Sequence, residues 1–361
     1  MRSVIVVGAG FIGTSIALAL TEHGVRVHLR DTRPERVATA VALSAGVAEP
    51  PEEPCDMAVL AVPPTSIATT LRLCQEEQIA RSYMDVGSVK ALPLLGALEL
   101  DCDLTSYIGG HPMAGRERSG PLAAQSHLFE GRPWVLTPSQ QTGNTTLNAA
   151  LEVISICRGV PVVMEAMEHD RAVALVSHAP HVVASVMAGQ LEHAPTGAMR
   201  LAGQGLRDVS RIAAGDPALW SEILAANADS VADVLEGVTE SLAATVDALR
   251  AMTCSDEMKI QRGHRKVRDV LVHGCAGHAL IPVKPGSLPP RHSSLSVRIT
   301  DRPGELARLL SDVGSSEVNL EDLSIEHSPG MNTGTVELMV DEAEVGRLAE
   351  TLSSRNWSVQ E

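Results

Sequence analysis

The sequence GAGFIG, at positions 8 to 13, constrains the fold of this 361-residue chain more than any other segment. It follows the β-branched run SVIVV and precedes a helical pattern that ends at Gly24, so the chain opens as strand, glycine turn and helix. In a G-x-G-x-x-G turn the first glycine permits a tight bend, the second admits a pyrophosphate to the backbone, and the third lets helix and strand pack closely. The segment therefore predicts a dinucleotide site, with cofactor contacts from Gly8, Gly10, Phe11, Ile12 and Gly13.

Strand-like runs alternate with helical patterns or turns as far as about residue 165. This alternation predicts an α/β Rossmann domain with a doubly wound sheet at 1–165. An all-α domain is predicted at 166–281, where the periodicity becomes helical. Within it, apolar residues at spacings of three and four predict one continuous helix from Pro217 to Met252. Such a helix would be about 50 Å long, so we expect it to pack against a partner subunit in a homodimer.

A stretch rich in proline and serine, PVKPGSLPPRHSS, predicts a linker at 282–292. The segment 293–361 then shows strand, helix, two strands, helix and strand. This is the βαββαβ order of a ferredoxin-like unit. The sequence therefore predicts a third, small domain after the linker.

The net charge of −15 repels phosphate backbones and anionic lipids, which argues against nucleic-acid and membrane partners. No apolar run approaches the roughly 18 residues of a membrane-spanning helix, and we expect no cleavable signal before the first strand. The six cysteines are scattered without a Cys-x-x-Cys pair, which is typical of free thiols in a reducing compartment. We therefore expect a cytoplasmic protein.

Asp31 ends the second predicted strand, VRVHLRD. A carboxylate at this position accepts hydrogen bonds from the hydroxyls of an adenosine ribose and repels a 2′-phosphate, so it favours NAD as the cofactor. Arg30 and Arg33 flank the carboxylate and could instead bind that phosphate. NADP therefore stays open as an alternative.

Two later segments are predicted to reach the carboxyl edge of the sheet, where folds of this kind bind ligands. DVGSVK brings Ser88 and Lys90 there after one strand, although Ser88 could equally be a helix cap. HPMAGRERSG brings His111 there after the next strand. A histidine that titrates near neutral pH suits removal of a hydroxyl proton while hydride leaves the same carbon. His111 is therefore the candidate base, with a purely structural loop histidine as the alternative.

Five segments occur in the order seen in the prephenate dehydrogenase family, which the chain resembles over essentially its whole length: GAGFIG, DVGSVK, HPMAGRERSG, EHDRAVALVSHAPH and GLRDVSRIAAGDPALWSEI. The tail segment DRPGEL resembles the opening of an ACT domain, a small amino-acid-sensing module. The resemblance implies an NAD-dependent prephenate dehydrogenase of tyrosine biosynthesis. It also implies an ACT regulatory domain at 293–361, with tyrosine as the candidate effector.

The family pattern implies roles for individual residues. His111 would contact the ring 4-hydroxyl of prephenate with Ser88 steadying it, and loss of hydride from C4 and of CO₂ from C1 would give 4-hydroxyphenylpyruvate. Arg211 matches the arginine that holds the ring carboxylate, with a salt bridge to Asp208 as the alternative. The other positions implied on the substrate side are Glu117, Ser177, His178, His181 and Trp220.

Several alternatives stay open on the sequence alone. The substrate could be arogenate or a 4-amino-4-deoxy analogue of prephenate, because the groups at C1 and C4 would be handled similarly. A non-catalytic amino-acid sensor is disfavoured by the joint presence of Ser88, His111 and Arg211. The histidines of 168–181 and of HGCAGH at 273–278 invite a metal site. We expect no metal, because the family places the former around the substrate and the latter lack a fourth ligand.

Overall fold

The computed structural model of the protein describes residues 1–115, 120–195, 197–281, 292–327 and 333–360. Glu117, with the arginines on either side of it, lies outside the described residues, as does almost all of the predicted linker at 282–292. The described residues form two compact units, Met1–Val246 and Asp247–Glu361. The first unit contains both the glycine turn and His111.

The β-branched runs of the first unit form one seven-stranded sheet with the order β2-β1-β3-β4-β5-β6-β7. The first five strands are parallel, so the predicted Rossmann class is confirmed. Strand β6 runs antiparallel to β5, and β7 is parallel to β6, a reversal that the sequence pattern did not predict. The strands are β1 (Ser3–Val7), β2 (Arg26–Arg30), β3 (Met57–Leu60), β4 (Tyr83–Asp85), β5 (Tyr107–Pro112), β6 (Pro133–Thr137) and β7 (Val160–Val163).

Helices cover both faces of this sheet, because successive side chains of a strand point to opposite sides. On one face Val6 packs in a buried cluster with Leu20, and on the other Ile5 packs in a second cluster with Leu71. The doubly wound arrangement therefore follows from strands that are apolar on both sides. The helices are α1 (Phe11–Glu22), α2 (Pro34–Ala42), α3 (Ile67–Glu76), α4 (Ala91–Glu99) and α5 (Asn144–Ile156).

The rest of the first unit is helical, as predicted, but the long helix expected from Pro217 to Met252 is wrong. The helix breaks at Asn227, whose backbone leaves the helical region with φ −131° and ψ 32°. Asn227 is buried, and its side-chain amide is hydrogen-bonded to other elements, which is how asparagine competes with helix continuation. The helices are α6 (Ala166–Val173), α7 (Ala179–Gly189), α8 (Gln204–Ile212), α9 (Pro217–Ala226) and α10 (Ala228–Ala251).

A π-helical turn, Ala174–His178, joins α6 to α7, so that Ala166–His193 forms one helical stretch. By length and composition alone this stretch could cross a membrane, which corrects the expectation that no apolar run is that long. It carries the buried polar side chains of His169, Asp170 and His178, and these are bonded to the rest of the unit. We therefore interpret it as a core helix of the first unit.

The second unit contains α11 (Glu257–His278) and a four-stranded antiparallel sheet with the order β11-β8-β10-β9. Its elements follow the predicted order βαββαβ. Alternate residues of β10, among them Val336 and Leu338, are fully buried against the two helices of the sheet. The elements are β8 (His292–Thr300), α12 (Glu305–Gly314), β9 (Asp322–His327), β10 (Thr333–Asp341), α13 (Val345–Ser354) and β11 (Ser358–Gln360).

Candidate active site

The glycine turn is closely packed at its first and third glycines and open at its second. Gly8 has φ +107°, and a Cβ there would lie 2.2 Å from the carbonyl oxygen of Ala61. A Cβ on Gly13 would lie 2.0 Å from the carbonyl oxygen of Gly8, whereas a Cβ on Gly10 would meet open space. The first and third glycines are thus required by packing, and the second leaves room for a ligand at the start of α1. Phe11 and Ile12 form the first turn of α1, where backbone N–H groups have no carbonyl partner within the helix.

Asp31 follows β2 and fastens the glycine turn. Its Oδ2 accepts a hydrogen bond from the backbone N–H of Ala9 at 2.7 Å, and its Oδ1 accepts one from the N–H of Arg33 at 2.8 Å. A carboxylate offers about four lone-pair sites, so both oxygens can still accept ribose hydroxyls. The guanidinium of Arg30 is instead paired with the carboxylate of Glu77, so this arginine is already engaged.

His111 lies in β5, one residue before the end of the strand, and pairs in register with Val135 of β6. The residue as a whole is partly exposed, and its Nδ1 lies 2.9 Å from Nε2 of His169. The Nδ1 of His169 lies 2.7 Å from Oδ1 of Asp170. Sequence reasoning did not select His169 or Asp170 as site residues. The adjacent histidine and aspartate in EHDRAVALVSHAPH were the sequence feature that could have indicated them.

Asp170 joins this histidine pair to three other elements. Its carboxylate accepts hydrogen bonds from the backbone N–H groups of Lys90 and Ala91, both at 2.8 Å, where α4 begins. Its backbone oxygen accepts a hydrogen bond from Nδ2 of Asn227, also at 2.8 Å. The same Nδ2 lies 3.2 Å from Nδ1 of His178. The break between α9 and α10 therefore supplies the side chain that connects His178 to the His111 network.

Lys90 was expected to face the ligand crevice, and this prediction is wrong. Its side chain is fully buried beneath β5, where Nζ is paired with Asp85 and donates to the carbonyl oxygen of Gly110. The hydroxyl of Tyr107 donates to the other oxygen of Asp85 at 2.7 Å. A Cβ on Gly109 would lie 3.2 Å from Cδ of Lys90, so the glycine leaves room for the lysine stem. The buried ion pair thus supports the strand segment that carries His111.

Ser88 lies in the same connection between β4 and α4 and is partly exposed. Among the residues that the structure describes, no side-chain hydrogen bond links Ser88 to His111, whose side-chain contact is with His169. A role for Ser88 beside the base therefore stays a prediction.

The predicted group of His178, His181 and Trp220 is brought together. The ring of His181 stacks on Trp220 with centroids 3.6 Å apart and planes 10° apart, and His178 meets the same indole edge-on at 6.2 Å. Ser177 and His178 lie on the π-helical turn, a feature that often marks functional sites. Pro180 lies in the first turn of α7, directly after the π-helical turn.

Arg211 lies in the last turn of α8, exposed at the surface of the first unit. The predicted partner Asp208 accepts a hydrogen bond from Gln204 at 2.9 Å. Glu117 cannot be placed, because it lies outside the described residues. The proposed positions of both residues at the substrate therefore stay predictions.

Three histidines of the site, His111, His178 and His181, have lowered pKa values. The pKa of His111 lies well below the usual 6.5, first because of burial and then because of the neighbouring His169, Lys90 and His178. Burial also lowers the pKa of His178, to about 4, and lowers that of His181. A neutral imidazole can accept a proton from a hydroxyl group, so His111 is in the protonation state that a general base requires.

Two other features of the molecule do not contribute to this site. Among the described residues, no group of three or more His, Cys, Asp or Glu side chains could hold a metal ion. A cavity of about 440 Å³ lies elsewhere, between the strands β1 and β2 and the loop 48–54, and is lined in part by His28, Arg30 and Glu77. The histidine network, and not this cavity, therefore defines the candidate active site.

Comparison with known proteins gives consistent matches. Residues 16–163 match the family model of the prephenate dehydrogenase nucleotide-binding domain, and residues 165–259 match that of the prephenate dehydrogenase dimerization domain. The chain is 38% identical over 361 residues to the probable prephenate dehydrogenase NovF of Streptomyces niveus, covering 99% of each protein. The structure of prephenate dehydrogenase from A. aeolicus with hydroxyphenyl propionate and NAD⁺ aligns with a TM-score of 0.65 at 27% identity, over 76% of this chain and 98% of that one. Synechocystis arogenate dehydrogenase aligns with a TM-score of 0.59 at 25% identity, over 75% of this chain and 100% of that one.

Proposed function

The chain belongs to the prephenate dehydrogenase family, and from this premise we propose that it catalyses the NAD-dependent oxidative decarboxylation of prephenate to 4-hydroxyphenylpyruvate in tyrosine biosynthesis. The observation that carries the proposal is the neutral imidazole of His111, held at the end of β5 by hydrogen bonding to His169. A base at this position suits the removal of a ring hydroxyl proton.

NAD would be held by the glycine turn and the residue that follows β2. When bound, it takes up the hydride that leaves C4 of the ring. The open space at Gly10 and the first-turn amides of α1 suit its pyrophosphate, and the lone pairs of Asp31 suit the adenosine ribose. The pairing of Arg30 with Glu77 supports NAD over NADP, because that guanidinium is not free for a 2′-phosphate.

His111 would accept the proton of the 4-hydroxyl as the ring carbonyl forms, with Ser88 steadying that hydroxyl. The C1 carboxylate then leaves as CO₂, and the electron pair of the broken bond makes the ring aromatic. The phenolate oxygen so formed takes the proton back from His111. The protein therefore ends the cycle with no net gain of protons, ready for another substrate.

The substrate carries two carboxylates, and a protein of net charge −15 needs fixed cations to hold them. We expect Arg211→Ala to raise the KM for prephenate by about 10- to 100-fold, since a charge-assisted hydrogen bond contributes about 1.5–3 kcal/mol. Steady-state kinetics at saturating NAD would measure this. Arg207→Ala, an exposed arginine one turn earlier on α8, is the matched control and should leave the KM unchanged. Equal effects of the two variants would contradict the role of Arg211.

Asp31 should set the preference between the two dinucleotides. We expect Asp31→Ala to raise the KM for NAD by about tenfold, since it removes hydrogen bonds to a charged acceptor worth about 1.5–3 kcal/mol. The same variant should use NADP better than the parent protein does, because a repelling charge is gone. Glu35→Ala removes a nearby exposed carboxylate on α2 and serves as the control. An unchanged ratio of kcat/KM for NAD and NADP in Asp31→Ala would contradict this assignment.

Related substrates remain the second candidates. Synechocystis arogenate dehydrogenase shares the fold, and arogenate and 4-amino-4-deoxyprephenate keep the ring that His111 would meet. The alternative of a non-catalytic sensor has less support, since the family and the intact histidine network both favour an enzyme. A steady-state assay of prephenate and arogenate with NAD and NADP, with and without tyrosine, tests the proposal. Turnover of prephenate with NAD is expected, and turnover of neither substrate would overturn it.

The proposed assembly and regulation concern the helical segment and the second unit. Exposed apolar side chains on α7 and α10, among them Val186, Met187 and Leu242, suit a homodimer contact. The βαββαβ unit with its DRPGEL turn would be an ACT domain that binds tyrosine, and Gly304 in that turn adopts φ +93°. The cysteines are all free, which suits the cytoplasm.

A further inference from the structure

We propose that His169 and Asp170 are positioning residues for His111, which hold its ring in the tautomer that leaves Nε2 unprotonated and stabilise the charge when Nε2 gains a proton. The inference rests on the proposed function, since it takes His111 as the base. It assigns a task in proton transfer to two buried residues, of which the reaction described above uses only the hydrogen bond between His111 and His169.

The hydrogen bonds of the three side chains determine the tautomers. The carboxylate of Asp170 can only accept, so the Nδ1 of His169 that lies 2.7 Å away must carry a hydrogen. When His169 carries a single ring hydrogen, its Nε2 is an acceptor, and the hydrogen between the two rings belongs to Nδ1 of His111, 2.9 Å away. The lone pair of His111 is consequently at Nε2, on the side of the ring away from His169.

The carboxylate is itself held in place on several sides. The backbone N–H groups of Lys90 and Ala91 donate to its two oxygens, and Asn227 donates to its backbone carbonyl. Three donors, counting His169, thus face the carboxylate and a fourth faces the backbone carbonyl, which keeps the side chain oriented. Hydrogen-bond partners of this kind, which contact the functional imidazole and not the substrate, fix the ring orientation and basicity of histidines.

Protonation of His111 would otherwise be unfavourable in these surroundings. Among the described residues, the charged or titratable groups that lower the pKa of the His111 ring are His169 from α6, Lys90 from the start of α4 and His178 from the π-helical turn, and none of these three is an anion. As Nε2 of His111 takes the substrate proton, its Nδ1 proton can move to Nε2 of His169. The resulting imidazolium would lie against the Asp170 carboxylate, and the reverse movement returns the proton to the product oxygen.

The direct test is the tautomer of His111 in the full-length protein. NMR of the protein labelled with ¹⁵N-histidine distinguishes the two ring nitrogens, and the His111 signals are those lost in His111→Asn. We expect a hydrogen on Nδ1 in the parent protein at neutral pH. Asp170→Asn should weaken this preference, because a neutral amide can either accept from Nδ1 of His169 or donate to it. A hydrogen on Nε2 of His111 in the parent protein would overturn the proposal.

The kinetic test separates positioning from general damage. His169→Gln keeps an oxygen that can accept from His111 but cannot take up a proton, so kcat should fall at least tenfold while the KM values for prephenate and NAD change less than threefold. The acid limb of the pH profile should move as well. Glu168→Gln, the exposed neighbour on α6, is the matched control and should change neither.

The outcomes distinguish this inference from the proposed function. If His111→Asn is inactive while His169→Gln retains the parent kcat and pH profile, the positioning role of His169 and Asp170 is wrong and the role of His111 stands. If His111→Asn retains full activity, the proposed function of His111 is wrong, and the positioning role of the other two residues falls with it.

Discussion

Replacement of His111 by asparagine is expected to lower turnover by about 10²- to 10⁴-fold, the usual contribution of a general base. Asparagine is polar and similar in reach, but it cannot accept the hydroxyl proton at neutral pH. The ring lies at the end of β5, and the variant leaves the glycine turn and Asp31 intact, so the affinity for NAD should be unchanged. Steady-state kinetics with prephenate and a binding isotherm for NAD measure the two quantities separately.

The pH dependence of the parent protein gives a second view of the same residue. His111 acts in its neutral form, so kcat/KM should fall as the pH falls through its pKa. Because burial and the neighbouring groups hold that pKa well below 6.5, activity should persist at pH values where an ordinary histidine is already protonated.

His23→Asn, at an exposed histidine after α1, is the control for the turnover of His111→Asn. Equal turnover in His111→Asn and His23→Asn would exclude His111 as the base.

Replacement of Lys90 by methionine is expected to lower the free energy of unfolding by about 3–5 kcal/mol, the usual cost of leaving one charge of a buried pair without its partner. Both side chains of the Lys90–Asp85 pair are inaccessible to solvent, so no water can replace the lost ammonium. Urea unfolding followed by circular dichroism measures the change. The double variant Lys90→Met with Asp85→Asn should recover part of the loss, because the orphaned carboxylate is gone.

A surface pair provides the control for this experiment. The Nη1 of Arg158 lies 3.1 Å from Oε1 of Glu130, and the two side chains are 65% and 48% exposed. Exposed pairs contribute about 0–1 kcal/mol, so Arg158→Met should change stability little. Similar losses of unfolding free energy in Lys90→Met and Arg158→Met would show that burial does not increase the contribution of the Lys90–Asp85 pair to stability.

The parts of the fold that depend on local sequence could be predicted. The turn at Gly8 and Gly13 follows from the spacing of the glycines, and the apolar runs mark the strands of both sheets. His111 could be placed near the carboxyl edge because it follows a strand-like run. The grouping of His178 with His181 follows from their spacing of three on a helix.

The contacts that complete the site could not be predicted, because they join positions far apart in the chain. His111 meets His169 across 58 residues, and the amide of Lys90 meets Asp170 across 80. The periodicity of apolar residues along the sequence carries no information about such a pairing. The break at Asn227 was missed for a related reason, since the apolar pattern continues through it and only a distant hydrogen bond explains the departure from the helix. The burial of Lys90 likewise depends on its partner, Asp85, and a lysine alone reads as a surface residue.

The π-helical turn Ala174–His178 sets the rotational phase between the two halves of one helix. At about 100° per residue, the nine steps from His169 to His178 would leave these rings roughly half a turn apart on an unbroken α-helix. His181, three residues further on, would lie about 120° from His169 on an unbroken α-helix, and the additional residue of the π-helical turn subtracts about 100°, which brings His181 nearly into line with His169. The orientation of the rings thus depends on the π-helical form of the turn. Conversion of the turn to regular α-helix, with no residue lost, would rotate His181 by about 100° away from His169 while every side chain of the site was retained.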